Sequence, residues 1–394
     1  MKTYRVAILG CRGRGTAAAR GYYSHPRTEV VGLCDLIPER FNTLGDELGV
    51  PNSARYTDLD KMIEETQPDI VAIPTATELH FPLSMRVLEH GVHIDVEKPM
   101  TLDLIQADAL IAKAKEKGSR VAVHHQGGVG IHVKAALKAY REGRIGELRY
   151  IHSAGKGYYG GFELIHQDTH ILNNDILFAG RCKAVSAVAV SGGRSATPAD
   201  AHRVWGAGTI IGEHLNAAME WENGVTGTHF CHRFAKNDTT AHVTELYGTE
   251  GRIIVNHSAK QGGPRLLQQP QYYPDGTNDQ WQPLDPIYPE GYDESMSASE
   301  DDYGYADEYV RALDEGRDHA CSGANGHHVV EIIMAIYESA GYGRRVEIPQ
   351  QNREHPLVRL RREHGLPDTT QSPIQYADLL EAEDRRRATP AAAG

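Results

Sequence analysis

Short apolar runs alternate with amphipathic segments over the first third of the chain. Five runs have the length and β-branched content of buried strands: YRVAILG, EVVGLCD, DIVAIPT, HIDVEKP and RVAVHH. Apolar residues at helical spacing lie between them in TAAARGYY, PERFNTLGDEL, LDKMIEET, PLSMRVLEHG and LIQADALIAKAKEKG. Strands that alternate with helices predict βαβ units in a doubly wound parallel sheet. Such α/β sheets bind ligands at the carboxyl ends of their strands.

The second half of the chain has a different pattern. A helix is predicted near 131–142, and a series of strand candidates with turn signals follows: LRYIHSAGKG, KAVSAVAV, LNAAMEWENG, VTGTHFCHRF, HVTELYG and GRIIVNH. Strands in direct succession predict an antiparallel or mixed sheet in an α+β domain. Residues 257–302 are rich in Gly, Pro, Gln and Asp, which indicates a long irregular segment, and a helix pair is expected at 303–315 and 326–341.

Length and charge narrow the class of protein. A chain of 394 residues exceeds what one hydrophobic core usually serves, so two domains are expected. The net charge of −12 repels nucleic acid and anionic membranes, and no apolar run approaches the ~20 residues of a membrane span. A small-molecule partner is therefore favoured. The start, MKTYRVAILG, lacks the apolar core of a secretory signal, so a cytoplasmic location is expected.

The cysteines suggest packing rather than crosslinking. They stand at positions 11, 34, 182, 231 and 321 and form no CxxC pair. Neither a disulfide framework nor a thiolate zinc site is indicated by this spacing. We expect reduced cysteines that mostly pack in the core.

A glycine turn follows the first strand, in the letters GCRGRG. Gly10, Gly13 and Gly15 precede a helix whose backbone amides can bind a pyrophosphate, although Arg12 stands where GxGxxG has its middle glycine. Asp35 ends the second strand, where a carboxylate accepts hydrogen bonds from a ribose diol and repels a 2′-phosphate. The pattern predicts NAD binding, with NADP disfavoured. The alternative is a glycine turn in an α/β domain without a nucleotide.

A lysine follows the predicted strand HIDV in the letters DVEKPM, and it points either into the ligand crevice or to the surface. With this lysine the chain resembles the glucose–fructose oxidoreductase/inositol dehydrogenase/MocA (Gfo/Idh/MocA) family. The resemblance covers about residues 4–349 and is carried, in order, by VAILGCRGRG, VVGLCDLIPER, VAIPTATELH, HIDVEKPM, YREGRIGELRYI, GGFELIHQDTHILNNDILFAG, ELYGTEGRIIV, SGANGHHVVEIIMAIYESA and RRVEIP.

The resemblance implies a particular architecture. Residues 1–125 would form an NAD-binding Rossmann domain, and 126–350 a substrate-binding and oligomerisation domain with a large, open, mostly antiparallel sheet. Residues 351–394 would form a charged C-terminal extension whose end is expected to be disordered. Family members oxidise or reduce sugars, inositols and related polyols with a nicotinamide cofactor. A homodimer or homotetramer is implied.

The resemblance also implies roles for residues. Lys98 would contact the substrate hydroxyl and the nicotinamide ribose, and His170 matches the family's acid or base. Histidine suits that task because its ordinary pKa of about 6.5 lies near the working pH. The residues expected at the cofactor are Gly10, Arg12, Gly13, Arg14, Gly15, Asp35, Arg40, Thr75, Thr77, His80, Glu97, Lys98 and Gln126.

The segment ELIHQDTHILNND, residues 163–175, departs from the family pattern. His166, Asp168 and Asn173 replace an Asp, a Gly and an Asp of that pattern. If one helix starts near residue 165, His166 and His170 share a face at i and i+4, and Asp168 lies on another side. A metal site would need Asp168 in a strand-like arrangement, or the histidines of HHQ and CHR. Because the helix moves Asp168 away, no metal is predicted.

Several polar and aromatic residues are candidates for substrate contacts. Tyr158 and Tyr159 can stack on a sugar ring, or they can be core and rim of one sheet. His229 and His232 lie on opposite faces of a predicted strand, so a shared ligand role is not expected. The predicted substrate-binding residues are His125, Tyr158, Tyr159, His166, Asp168, Asn173 and Asn174.

The sequence thus predicts an NAD-dependent oxidoreductase that acts on a secondary hydroxyl of a sugar, glycoside or cyclitol. One alternative uses the same fold for a redox-neutral glycoside hydrolase or lyase reaction through transient oxidation of the sugar. Another is a non-catalytic sugar or nucleotide sensor, since a fold can outlive its chemistry. Retention of Lys98 and His170 argues against the sensor.

Overall fold

Two compact units make up the chain. The computed structural model describes residues 2–233, 242–256, 262–271, 280–369 and 373–388. Unit 1 comprises Met1–Thr101, Ile105–Ala135 and Asp285–His327, and unit 2 comprises Leu102–Leu104, Ala136–Leu284 and His328–Gly394. The units are interleaved in sequence.

Unit 1 contains six parallel strands in the order β3-β2-β1-β4-β5-β6. The strands are β1 Tyr4–Leu9, β2 Thr28–Cys34, β3 Arg55–Tyr56, β4 Ile70–Ile73, β5 His93–Val96 and β6 Val121–Val123. Helices in the first part of the chain are α1 Arg14–Ser24, α2 Pro38–Leu48, α3 Leu59–Thr66, α4 Thr77–Glu89 and α5 Leu104–Lys117. This is the doubly wound order of a Rossmann fold, as predicted.

The central strands are apolar because both faces of this sheet are covered. All four residues of β4 and the last four of β1 are buried, which explains the runs IVAI and VAIL. Only β3, with two residues, was not predicted.

Unit 2 is built on a large mixed sheet. The strands of unit 2 are β7 Leu148–Ala154, β8 Cys182–Ser191, β9 Arg194–Ser195, β10 His202–Val204, β11 Gly208–Ile210, β12 His214–Trp221, β13 Thr226–His232, β14 Val243–Gly248, β15 Arg252–Asn256, β16 Arg265–Leu267, β17 Gln282–Pro283 and β18 Val346–Glu347. Of these, β10 and β11 form a separate antiparallel pair. The sheet order is β17-β16-β15-β14-β7-β13-β12-β8-β18, with β9 beside β8. The β7–β13 pair is parallel, and the other pairs along this order are antiparallel, so the predicted mostly antiparallel sheet is confirmed.

The remaining helices are α6 Ile131–Arg141, α7 Gly160–His166, α8 Thr169–Ala179, α9 Glu300–Asp314, α10 Gly323–Tyr342, α11 Pro356–Glu363 and α12 Tyr376–Ala388. Among the described helices, none has the length and apolar character needed to cross a bilayer. The end of the chain, which was predicted to be disordered, lies outside the described residues from 389 onward.

Helix α9 explains why residues 285–327 belong to unit 1. Tyr305 and Tyr309 on this helix are fully buried. The Tyr309 hydroxyl donates to the Ile94 carbonyl at 2.9 Å, and the Tyr305 hydroxyl donates to Asp95 Oδ1 at 3.1 Å. Two large aromatic side chains anchored on β5 bind the helix to the parallel sheet.

The single helix predicted from residue 165 is wrong. The chain forms α7 and α8, and the break falls at Gln167 and Asp168. Both of these backbone N–H groups donate to the Glu163 carbonyl, which ends the first helix before the second begins. At the start of α7 a Cβ on Gly161 would lie 2.5 Å from the Ile211 carbonyl oxygen, so glycine is needed there for close packing.

Candidate functional site

The carboxyl ends of the parallel strands in unit 1 carry the predicted cofactor residues at one edge of the sheet. Five of the six strands contribute to this edge. In the order β1, β2, β4, β5 and β6, the residues that follow them are Gly10, Asp35, Thr75, Glu97 with Lys98, and His125 with Gln126.

The glycine turn has the backbone that a dinucleotide site needs. Gly10 and Gly13 adopt φ of 104° and 57°, in the region that favours glycine. A Cβ on Gly15 would lie 1.9 Å from the Gly10 carbonyl oxygen, so only glycine lets α1 start this close to β1. A Cβ on Gly13 would meet nothing within 4 Å, which leaves that side of the turn open to a ligand.

Asp35 is held rigidly beside this turn. Its Oδ2 accepts the Cys11 N–H at 2.9 Å, and its Oδ1 accepts the Ile37 N–H at 3.0 Å. Arg40 Nη1 lies 3.4 Å from Oδ1. Oδ1 thus accepts from two donors, whereas Oδ2 keeps a further lone pair for a ribose hydroxyl. The glycine turn and this carboxylate fit an NAD molecule, which when bound supplies a hydride acceptor or donor.

Arg14, at the start of α1, is fixed by two carboxylates. Its Nε donates to Glu97 Oε1 at 2.9 Å and its Nη2 donates to Asp302 Oδ1 at 2.7 Å. These charges outweigh the effect of burial and raise the arginine pKa further. These ion pairs hold the glycine turn close to Glu97, the residue that precedes Lys98.

His124 is a buried cation in the same network. Its Nδ1 lies 3.0 Å from Asp95 Oδ1, and its Nε2 lies 3.3 Å from Asp302 Oδ1. Burial disfavours the charged ring, but Asp95 and Asp302 outweigh it and raise the pKa to about 10. Tyr22 also donates to Asp95, at 2.9 Å. The first histidine of HHQ therefore stabilises unit 1.

His80 and His125 are buried rings, and burial lowers the pKa of both. The ring nitrogens of His80 contact the Pro99 carbonyl at 2.7 Å and the Thr75 carbonyl at 3.1 Å, so this ring joins the turns after β4 and β5. Burial, followed by the charges of Lys98 and His124, lowers the His125 pKa to about 3. Thr75 Oγ1 is buried without a hydrogen-bond partner among the described residues, as expected of a group that awaits a ligand.

Glu163 organises the tyrosine segment of unit 2. Its fully buried carboxyl group accepts the Lys156 N–H and, at 3.1 Å, the Tyr158 N–H. Burial, and then the negative charge of Asp168, raise the Glu163 pKa well above its usual range. Burial therefore favours the protonated form of this carboxyl group, which lies three positions before His166.

The two histidines of the ELIHQDTH segment contact different aromatic rings. His166 stacks on Phe162, with ring centroids 4.7 Å apart, and His170 meets His242 edge-on at 6.3 Å. Because the helix breaks between them, the predicted common face of one continuous helix is wrong. Asn173 and Asn174 on α8 are fully buried, and Tyr159 is buried too.

Asp168 lies where the prediction did not place it. Its Oδ2 is 3.0 Å from His229 Nε2 and accepts the Cys231 thiol at 3.0 Å. The break before α8 turns this side chain toward β13, whereas a continuous helix would have turned it away. His229 and Cys231 were not predicted, although their i and i+2 spacing puts them on one face of a strand. His232 lies on the opposite face, as predicted.

Comparison with known proteins identifies the family. Residues 4–125 match the oxidoreductase family with an NAD-binding Rossmann fold, and residues 139–348 match its C-terminal alpha/beta domain. The chain therefore belongs to the Gfo/Idh/MocA oxidoreductase family.

Curated relatives match only part of the chain. Glycosyl hydrolase family 109 protein 1 of Bacteroides thetaiotaomicron is 34% identical over 114 residues, 27% of this chain and 24% of that protein. The 2,7-anhydro-N-acetylneuraminate hydratase of Mediterraneibacter gnavus is 29% identical over 158 residues, 40% of this chain and 41% of that protein. The matched region thus spans less than half of either relative.

Solved structures share the fold over most of the chain. A levoglucosan dehydrogenase in complex with NADH and levoglucosan has a TM-score of 0.71 and 20% identity, covering 89% of this chain and 100% of that one. An oxidoreductase from Agrobacterium radiobacter, in complex with NAD+, L-tartaric acid and magnesium, has a TM-score of 0.70 and 18% identity, covering 88% and 99%.

Proposed function

We propose that this protein transfers hydride between NAD and a secondary hydroxyl of a sugar, glycoside or cyclitol. The observation that carries the proposal is Asp35, held by two backbone N–H groups beside a glycine turn that opens to ligand. Sugar dehydrogenases among the solved structures with this fold support the substrate class.

Two residues have the chemistry for the proton. Lys98 follows β5 at the ligand edge of the sheet, and we assign it to orient the substrate hydroxyl. His170 is the base that takes the hydroxyl proton as hydride leaves the same carbon. The buried His125 stays neutral and acts as a hydrogen-bonding group beside the Lys98 charge.

Two binding assays and an activity screen test the proposal. NAD and NADP binding is titrated by calorimetry for the wild type, Asp35→Ala and the control Asp46→Ala, whose carboxylate is 75% exposed. We expect Asp35→Ala to weaken NAD at least 10-fold and the control to leave it unchanged.

Reduction of NAD is then followed over a panel of sugars, glycosides and inositols. Lys98→Ala and His170→Ala should each lower kcat/KM by about 10²–10⁴, the usual contribution of a positioned acid or base. Unchanged rates in both variants, or NAD affinity that is the same in Asp35→Ala and the wild type, would contradict the assignment.

A second function is redox-neutral glycoside cleavage, and the protonated Glu163 favours it. A carboxylic acid that stays protonated near neutral pH can deliver a proton to a leaving group. The partial match to glycosyl hydrolase family 109 proteins points the same way. Release of aglycone from a nitrophenyl glycoside without net NADH, lost in Glu163→Gln, would establish it; stoichiometric NADH without aglycone would exclude it.

The location and assembly belong to the same proposal. We propose a cytoplasmic homodimer or homotetramer that binds neither nucleic acid nor membrane. All five cysteines lie among the described residues, are buried and form no disulfide, as a reducing compartment allows. The net charge of −12 disfavours both polyanionic partners.

A further inference from the structure

Three different ligand atoms converge inside unit 2. Asp168 Oδ2 lies 3.0 Å from His229 Nε2 and 3.0 Å from Cys231 Sγ, and Cys231 Sγ lies 3.4 Å from His229 Nε2. The three residues are at most 1% exposed. Water therefore does not solvate this group, and its charge must be balanced locally.

The other nitrogen of His229 is fixed by a second layer of residues. Ser153 Oγ donates to Asp175 Oδ2 at 2.8 Å and lies 2.9 Å from His229 Nδ1. Because the hydroxyl has one proton and gives it to the carboxylate, Ser153 Oγ accepts from Nδ1–H. Thr244 donates to the other oxygen of Asp175 at 3.1 Å. Metal-binding histidines commonly have their second nitrogen oriented in this way.

These hydrogen bonds leave His229 Nε2 facing another hydrogen-bond acceptor. With its proton on Nδ1, neutral His229 turns the Nε2 lone pair toward Asp168 Oδ2, which is also an acceptor. Two acceptors 3.0 Å apart need a proton or a cation between them. The second carboxylate oxygen, Asp168 Oδ1, is buried and has no hydrogen-bond partner among the described residues. The carboxylate thus has fewer donors than a buried charge requires.

We propose that Asp168, His229 and Cys231 bind a divalent cation of the zinc type. Imidazole nitrogen and thiolate sulfur select zinc or cobalt over magnesium or calcium. Tetrahedral bonds of about 2.0–2.3 Å separate ligand atoms by roughly 3.3–3.7 Å, so the triangle opens by only a few tenths of an ångström. The divalent ion displaces the proton of the Cys231 thiol, so one carboxylate, one thiolate and the ion give a neutral site with a fourth position for another oxygen ligand.

The ion would position the catalytic segment rather than replace its chemistry. Asp168 stands immediately before α8, and His170 is the second residue of that helix. A bond from Asp168 through the ion to β13 fixes the start of α8. This inference concerns unit 2 alone and holds whether or not the protein oxidises sugars.

Cobalt substitution tests the site directly. The full-length protein is stripped with a chelator at mildly acidic pH, reconstituted with Zn²⁺ or Co²⁺, desalted, and assayed for metal by mass spectrometry. We expect about one tightly held ion per chain and, with Co²⁺, a thiolate-to-cobalt charge-transfer band in the near ultraviolet. Cys231→Ser should abolish the band, while Cys182→Ser, at another buried cysteine of the same sheet, should retain it.

Wild-type protein alone also decides the matter. Zn²⁺ should raise the Tm of the stripped protein, whereas Mg²⁺ at the same concentration should not. Absence of both the bound ion and the charge-transfer band after reconstitution overturns the proposal and leaves an imidazolium–carboxylate pair. A band that survives in Cys231→Ser overturns it equally.

Discussion

In unit 1, one histidine ring contacts two carboxylates, and an arginine contacts one of those carboxylates. His124 lies between Asp95 and Asp302, and Asp302 also binds Arg14 at the glycine turn. Removing one partner from a buried ion pair costs about 3–5 kcal/mol, since the other charge stays in the interior. We expect Asp95→Asn to lower the free energy of unfolding by this order of magnitude, as measured by urea denaturation.

The same ring makes stability depend on pH. The folded pKa of about 10 exceeds the roughly 6.5 of an unfolded histidine, so the stabilisation is complete below about pH 6.5 and is lost as the pH rises to about 10. In Asp95→Asn the Tm should fall less between pH 6.5 and 10 than it does in the wild type. Asp285→Asn, at an exposed position of the same unit, is the control. A wild-type Tm that stays constant from pH 6.5 to 10 would be inconsistent with a charged His124.

Local sequence predicts some of these residues and not others. Gly10, Asp35 and Lys98 could be predicted at the ligand edge of the sheet because each lies at the end of a strand whose own letters predict it. The partners of His124 were not, since Asp302 is 178 positions away and reaches it only through the packing of α9. His229 and Cys231 were missed because their partner, Asp168, was assigned to the wrong side of a helix.

At the scale of elements, apolar periodicity predicts the long strands and helices well. It fails where backbone hydrogen bonds decide the outcome. ELIHQDTHILNND has neither Pro nor Gly, so its letters predict continuity, yet the Glu163 carbonyl accepts two N–H groups and ends α7. Strands of two or three residues, such as β9 and β17, contain too few positions for a period to be visible.

The C-terminal helix α12 is attached to unit 2 by a buried charge and an aromatic stack. Arg233 Nη1 donates to Glu383 Oε2 at 3.0 Å, and the Glu383 side chain is fully buried. Tyr376 stacks on Phe162 with ring centroids 4.1 Å apart. Arg233→Gln removes a charge partner of that carboxylate, so we expect faster amide hydrogen exchange across residues 376–386, by 10-fold or more.

Arg385→Ala serves as the matched control for this helix. Its side chain is 73% exposed, and surface ion pairs contribute little to stability. Exchange that is accelerated equally in both variants would mean that Arg233 does not anchor the helix. Far-ultraviolet circular dichroism of each variant confirms that the main sheet is intact.

At the scale of the whole molecule, we predict that the proposed assembly uses the face of the large sheet that carries Val188. Val188 on β8 is 62% exposed, and its register partner on β12, Asn216, is exposed beside it. We expect Val188→Glu to shift the protein toward monomer, because a charge buried in a self-association surface costs several kcal/mol. Sedimentation equilibrium measures the shift.

A matched substitution separates this surface from general solubility effects. Ile105 lies on α5 and is 57% exposed. Ile105→Glu therefore adds the same charge away from the large sheet and should leave the molecular mass of the assembly unchanged in sedimentation. A wild-type protein that sediments as a monomer would contradict the proposed assembly. The doubly wound parallel sheet was predicted from the sequence, whereas the inclusion of residues 285–327 in unit 1 depends on the packing of the α9 tyrosines against β5.

The stack of Tyr376 on Phe162 has a consequence for protein engineering. The family's C-terminal domain matches residues 139–348, and Tyr376 lies outside that span. A chimera assembled by exchanging the family domain at residues 139–348 would inherit Phe162 but not Tyr376, whose ring stacks on it. Recombination between relatives should therefore carry residues 349–388 with the sheet, as a single heritable block.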